Sequence, residues 1–159
     1  LTETLINEGK IQKAKDILDL ATKRIPVSHF GYYFTVEPFI TGYYQVKENA
    51  KARKLFPEVA KKYQENIEYY LTLSADDFIN LYEDVSRDLR RYDAMLPILA
   101  EDKSFYDQQY KIYEQYIDRL QDKAVSFGLL SQEDIKAQKQ PKDPNPQTPD
   151  SKQSQDTVK

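Results

Sequence analysis

ETLINEGKIQKAKDILDLATKRIP, residues 3–26, decides how the chain folds. From Ile11 onward, apolar or small side chains fall at Ile11, Ala14, Ile17, Leu18, Ala21 and Ile25. Steps of three and four align them along one side of a helix, so the spacing predicts a helix with one buried face. Lys23 and Arg24 suit the negative end of its dipole, and Pro26, which cannot continue a helix, marks its stop. Ahead of it, Glu8, Gly9 and Lys10 punctuate a first, shorter helical stretch carrying Leu1 and Leu5. Two helices joined by so short a break make a hairpin.

The pattern recurs. Val36, Phe39, Ile40, Tyr43, Ala52, Phe56 and Val59 take the matching places in a second hairpin, from about Val36 to Leu73. The first hairpin follows tetratricopeptide spacing at Leu1, Leu5, Gly9, Ile11, Ala14, Leu18, Ala21 and Pro26. Ala14 to Ala52 is a period of 38 residues, against about 34 for that repeat. The excess falls in the aromatic connector VSHFGYYFT, residues 27–35, with Gly31 as its hinge. Pro38 then lies near a helix start, where a missing N–H costs nothing. Two positions depart from the repeat: Lys47 stands where the turn glycine belongs, and Gln64 where the closing proline belongs, so the last helix can run on toward Leu73. Pro57 removes a backbone bond inside that helix and is expected to kink it.

Beyond Ser74 the repeat gives way to longer helices. Ser74 with Asp77 resembles a capping box and opens a unit with a buried stripe at Phe78, Leu81, Tyr82, Val85, Leu89, Tyr92 and Leu96. Pro97 bends or ends it. Ser104 with Asp107 repeats the Ser-x-x-Asp signal before Tyr106, Tyr110, Tyr113, Ile117, Leu120, Ala124 and Phe127, a bundle-type seam. Gly128 suits the position after that helix, and Ser131 with Asp134 could start one last turn. The expected fold is therefore all-α, with tetratricopeptide-like hairpins over 1–73, capping helices over 74–138 and a disordered Pro/Gln-rich tail over 139–159. That tail carries four of the eight prolines and no aromatic residue, and it buries too little to offset the entropy of ordering.

Composition excludes several classes of function. With 23 Lys and Arg against 26 Asp and Glu, the net charge of -3 offers no field for nucleic acid or anionic lipid. The densest basic group, Arg87, Arg90 and Arg91, interleaves with Glu83, Asp84 and Asp88 as a solvated, self-neutralised face. There is no cysteine, hence no disulfide or thiol chemistry. No apolar run is long enough to span or insert into a membrane. The chain starts at Leu1, without Met, within what looks like a running helix, and reads as a piece of a longer polypeptide.

Residues 3–26, the connector, EPFITGYYQVKENAKARKLF at 37–56 and EYYLTLS at 68–74 together resemble one family. It is the C-terminal helical-repeat region of large multi-pass membrane proteins of Bacteroidetes, of unknown function. Their membrane part resembles protein O-mannosyltransferase-type glycosyltransferases. The resemblance covers about residues 1–73. It implies an appended soluble domain of an inner-membrane protein, on the periplasmic side, and does not imply that this stretch is catalytic.

No catalytic, cofactor or metal site is expected. His29 is the single histidine, so neither a histidine metal cluster nor a Ser-His-Asp array can be assembled, and a structural or exposed role in the connector is expected. The pairs Asp76/Asp77 and Glu83/Asp84 are adjacent on helices and diverge by about 100°. They suit capping and solvation, not hydrolysis across a cleft. The thirteen tyrosines divide between core and interface, the core taking the larger share. In tetratricopeptide arrays the first helix of each pair lines a concave groove for a peptide or partner helix. By alignment, the groove positions here are Glu3, Ile6, Asn7, Phe34, Glu37, Thr41, Tyr44 and Gln45. With only two hairpins, the long C-terminal helix could instead fill that groove. The expected function is a non-catalytic interaction or scaffolding domain with a protein or peptide partner. The alternative is a structural cap that packs on the membrane part of its own chain.

Overall fold

The computed structural model describes residues 2–28, 33–133 and 135. His29, Gly31, Asp134 and the tail at 139–159 lie outside them. Seven α-helices follow one another with no strand among the described residues: α1 (Thr2–Asn7), α2 (Ile11–Arg24), α3 (Glu37–Gln45), α4 (Asn49–Thr72), α5 (Ala75–Asn80), α6 (Tyr82–Met95) and α7 (Lys103–Ser126). Short 3-10 turns at Tyr33–Thr35 and Leu96–Leu99 lead into α3 and out of α6. The chain is all-α. No described helix is long and apolar enough to cross a membrane.

Helices α1 and α2 form the first hairpin and α3 and α4 the second, and the two turns share one hydrogen-bond pattern. At the first, the Gly9 N–H donates to the Ile6 carbonyl at 3.0 Å and the Lys10 N–H to that of Leu5 at 2.8 Å. At the second, 38 residues on, the Lys47 N–H donates to Tyr44 at 3.0 Å and the Glu48 N–H to Tyr43 at 2.8 Å. Both close the helix with a residue in the left-handed region, φ +72° at Gly9 and +62° at Lys47. This paired closure satisfies carbonyls that a helix end leaves without partners. Gly42 lets the hairpins meet, since a Cβ there would stand 2.8 Å from Leu18 Cδ2.

Helix α4 runs unbroken through Pro57 to Thr72, so the proline does not end it; Pro57 is exposed. Two cations of α7 clip its far end. Arg119 forms a forked pair with Glu68 at 2.5 and 2.8 Å, and the Lys123 ammonium donates to the Leu71 carbonyl at 2.8 Å. The second contact places a cation where α4 has its negative dipole end. At the other end of α7, Asp102 is bound by Arg53 of α4.

Several expectations beyond Ser74 are corrected. Ser74 does cap α5, its Oγ accepting from the Asp77 N–H at 3.2 Å, but the helix breaks at Leu81 and restarts as α6. Tyr82, expected in the buried stripe, is 56% exposed. The cap of α7 is Asp102, with Ser104 already inside the helix. Of the α7 seam only Leu120 and Ala124 are buried. Gly128 follows α7 at φ +70°, as expected. Asp88, expected in solvent, is buried.

One continuous core links both hairpins to α6 and α7, with Phe56, Tyr63 and Tyr92 at its centre. A file of tyrosines crosses it. Tyr33 stands edge-on to Tyr63 at 4.7 Å between centroids, Tyr63 stacks with Tyr92 at 6.0 Å, and Tyr92 meets Tyr113 edge-on at 5.1 Å. Such pairs add about 0.5–1.5 kcal/mol each beyond area burial.

Candidate functional site

A buried phenol must place its hydroxyl, and in this chain most of the placements are carboxylates or amides on a neighbouring helix. Tyr63 donates to Glu37, Tyr70 donates to Asp88 at 2.8 Å, and Tyr44 donates to Asp102 at 3.3 Å. Tyr43 donates to Asp19 at 3.0 Å, and Gln64 donates to the Tyr92 hydroxyl at 2.7 Å. Asn66 donates to both Tyr33 and Asp88, at 2.7 and 2.8 Å. These contacts fix the rotation of each helix against the next, so six of the thirteen tyrosines are framework.

On the side of α1 and α3, where a groove is expected, lies a cavity of about 470 Å³. Four of the eight aligned positions line it: Glu3, Glu37, Thr41 and Gln45. Thr2, Pro38, Phe39 and Gly42 complete the hairpin side, and Ile98 of the second 3-10 turn supplies the opposite wall. Helix α7, the alternative occupant of that groove, contributes no lining residue. Ile98 was not legible in advance, because nothing in its sequence neighbourhood says that the turn at Pro97 folds back against α3.

The other four positions lie elsewhere. Ile6 is half-buried and packs on the core. Asn7 is exposed at the end of α1. Phe34 carries the Arg91 guanidinium 4.8 Å over its ring. Tyr44 is bound to Asp102, and burial, reinforced by that carboxylate, pushes its phenol up to about 12. The hydrogen bond from Arg53 holds Asp102 below the usual carboxylate range.

Within the cavity the groups differ in availability. Glu3 and Gln45 are exposed. Glu37 is half-buried, accepts from Tyr63, and has the Arg91 guanidinium 3.9 Å away. Burial raises its carboxyl above the ordinary 4.5 despite both partners. The cavity thus offers one exposed carboxylate, a hydroxyl and an amide beside the apolar Phe39, Pro38 and Ile98. That mixture can satisfy the backbone groups of an extended peptide and hold an apolar or basic side chain.

Two further cavities were not foreseen. One, of about 380 Å³, lies between α2 and α4, where Lys51 pairs with Asp19 at 2.7 Å beneath Tyr43 and Thr22. The other, of about 610 Å³, opens between α6 and α7. Among the described residues no cluster of histidine, cysteine, aspartate or glutamate could hold a metal ion. Comparison with models of protein families, with curated proteins and with solved structures finds no match to this chain.

Proposed function

We propose that the chain is a non-catalytic helical-repeat domain for protein interaction or scaffolding, and the soluble C-terminal part of a glycosyltransferase-like membrane protein, placed outside the cytoplasm. The observation that carries the interaction reading is the cavity between α1, α3 and the turn at Pro97, where four positions aligned with a peptide groove converge. The repeated turn, with Lys47 in the conformation of Gly9, supports two hairpins built on one plan. The membrane-protein part rests on the sequence resemblance of residues 3–26, 37–56 and 68–74.

One observation favours a structural cap as the second reading. Tyr44 and Ile98 join the hairpins to the C-terminal part across the same face, which narrows the groove. The readings separate at Glu3 and Gln45, which are exposed and bear no framework contact described above. Photo-cross-linkers at these two positions in the full-length protein, with exposed Asp16 on α2 as control, test the proposal. Docking predicts a discrete polypeptide adduct at Glu3 and Gln45 and none at Asp16. An adduct to the chain's own membrane part supports the cap, and equal yields at all three sites contradict both.

A further inference from the structure

The cleft between α6 and α7, about 610 Å³ in volume, carries aromatic rings at both ends: Phe78 and Tyr82 at one, Tyr113 at the other. Ring contacts of Phe78 with Phe127 and of Tyr92 with Tyr113 place the two sides antiparallel. Past Tyr113 the aromatic wall continues. Tyr110 lies 6.2 Å from Tyr113 between centroids and stacks on Tyr106 at 5.6 Å. Tyr82 is 56% exposed and Tyr110 37%. Isolated apolar residues on a surface are ordinary, whereas rings gathered along one concave strip mark a binding face.

Aromatic-lined grooves suit polyproline II segments, because the segment is already extended and loses little entropy on docking. The chain itself carries such a segment. Residues 139–149 read KQPKDPNPQTP, with Pro141 and Pro144, and again Pro146 and Pro149, three apart. Polyproline II has three residues per turn, so each pair falls on one edge. The segment also starts beside the cleft: Leu129 and Leu130 line it, and Pro141 follows Leu130 by eleven residues. Over 136–159 the aliphatic side chains are Ala137 and Val158 alone, so this stretch holds no amphipathic helical stripe.

Lengths agree as well. Pro141 to Pro149 measures about 25 Å at 3.1 Å per residue, and α7 from Ala124 to Tyr110 about 21 Å at 1.5 Å per residue. The stretch has too little apolar surface to build a core of its own, but laying prolines on rings already in place asks far less. A segment tethered nearby acts at an effective concentration on the order of mM, so a Kd of about 1 mM suffices. Charge does not enter the choice, since the edges carry Glu83 and Asp118 together with Arg90 and Lys111.

We propose that residues 141–149 cover this cleft as a polyproline II strand antiparallel to α7, with Pro141 toward Tyr82 and Pro149 toward Tyr110. The inference uses a different face from the α1/α3 groove and does not depend on it.

The chain has no cysteine, so Thr148→Cys gives the full chain a single thiol for a nitroxide, and amide signals are read by NMR. The signals of Leu89, Tyr110 and Tyr113 are broadened away, while that of Asp16 on α2 stays sharp. Raising the salt leaves this unchanged. Pro141→Ala, Pro144→Ala, Pro146→Ala and Pro149→Ala together restore the signals at unchanged chain length, which mere tethering near the cleft would not do. Tyr82→Ala with Tyr110→Ala restores them too, with the fold retained by circular dichroism. In a mixture of nitroxide-bearing chain and isotope-labelled chain without nitroxide, the signals stay sharp. Unbroadened signals in the first experiment, or broadening that survives the proline or the tyrosine replacements, overturns the proposal. So does broadening equally strong at Asp16, its loss at high salt, or its appearance in the mixture, which would assign the cleft to a second copy.

Discussion

Lys47 adopts the backbone conformation of Gly9, 38 residues earlier, at φ +62° against +72°, and closes the same pair of hydrogen bonds. A side chain in that region costs roughly 1–2 kcal/mol that glycine avoids. Lys47→Gly is therefore expected to stabilise the fold by about 0.5–1 kcal/mol after the greater chain entropy of glycine is offset. Gly9→Ala is expected to destabilise it by a similar amount. Urea unfolding of the two variants measures both, and a loss of stability in Lys47→Gly would contradict the shared turn.

Asp88 is 3% exposed and accepts hydrogen bonds from Tyr70 and Asn66. Asp88→Ala strands both donors and is expected to cost about 2–3 kcal/mol. Asp84, a half-buried partner of Arg87 at 2.6 Å whose side chain keeps 42% of its exposure, serves as the control; Asp84→Ala should change stability by less than about 0.5 kcal/mol. Chemical denaturation of both, compared at one pH, decides whether the burial of Asp88 matters as described.

The pH dependence has two opposed parts. Hydrogen bonds from Lys51, Lys15, Lys62, Arg119 and Arg53 hold Asp19, Glu48, Glu65, Glu68 and Asp102 respectively below their ordinary values of 3.8 and 4.5. Their contribution is complete above about pH 4.5 and is lost as pH falls through the lowered values. Burial raises Glu37, so its folded form binds the proton more tightly than the unfolded chain does. Its contribution is complete below 4.5 and is lost as pH rises through the raised value. Glu37→Gln keeps an acceptor for Tyr63 and removes that loss. The variant is expected to be more stable than the parent at pH 7, with the advantage shrinking to nothing below pH 4.5. Thermal melts across pH 3–8 read the difference directly, and a constant offset would contradict it.

Tyr92 and Tyr82 were indistinguishable on the sequence stripe, yet the first is fully buried and the second is 56% exposed. Tyr92→Ala is expected to cost about 3–5 kcal/mol, and Tyr82→Ala less than about 0.5 kcal/mol. Their melting temperatures should therefore part by many degrees.

The hairpins were legible because each is local: the turn at Gly9, the stop at Pro26 and the three- and four-residue steps all act within one or two helical turns. The break at Leu81 was not, since Phe78, Leu81 and Tyr82 satisfy a continuous helical stripe as well as they satisfy two short helices. Asp88 looked solvated beside three arginines because its true partners, Asn66 and Tyr70, are remote in sequence. Half of the aligned groove positions converge and half do not, for a similar reason. Alignment reports which side of α3 a residue occupies, whereas Tyr44 is decided by Asp102 and Phe34 by Arg91, both far downstream.

The central claim is that the face bearing Glu3 and Gln45 receives a partner. Its most direct measurement is photo-cross-linking from Gln45 in the full-length protein, repeated with Glu3→Arg, whose melting temperature should equal that of the parent. The account predicts one discrete adduct with another polypeptide, lost in Glu3→Arg while the melting temperature stays unchanged. An adduct of undiminished yield in Glu3→Arg, or cross-links confined to the domain itself, would contradict it.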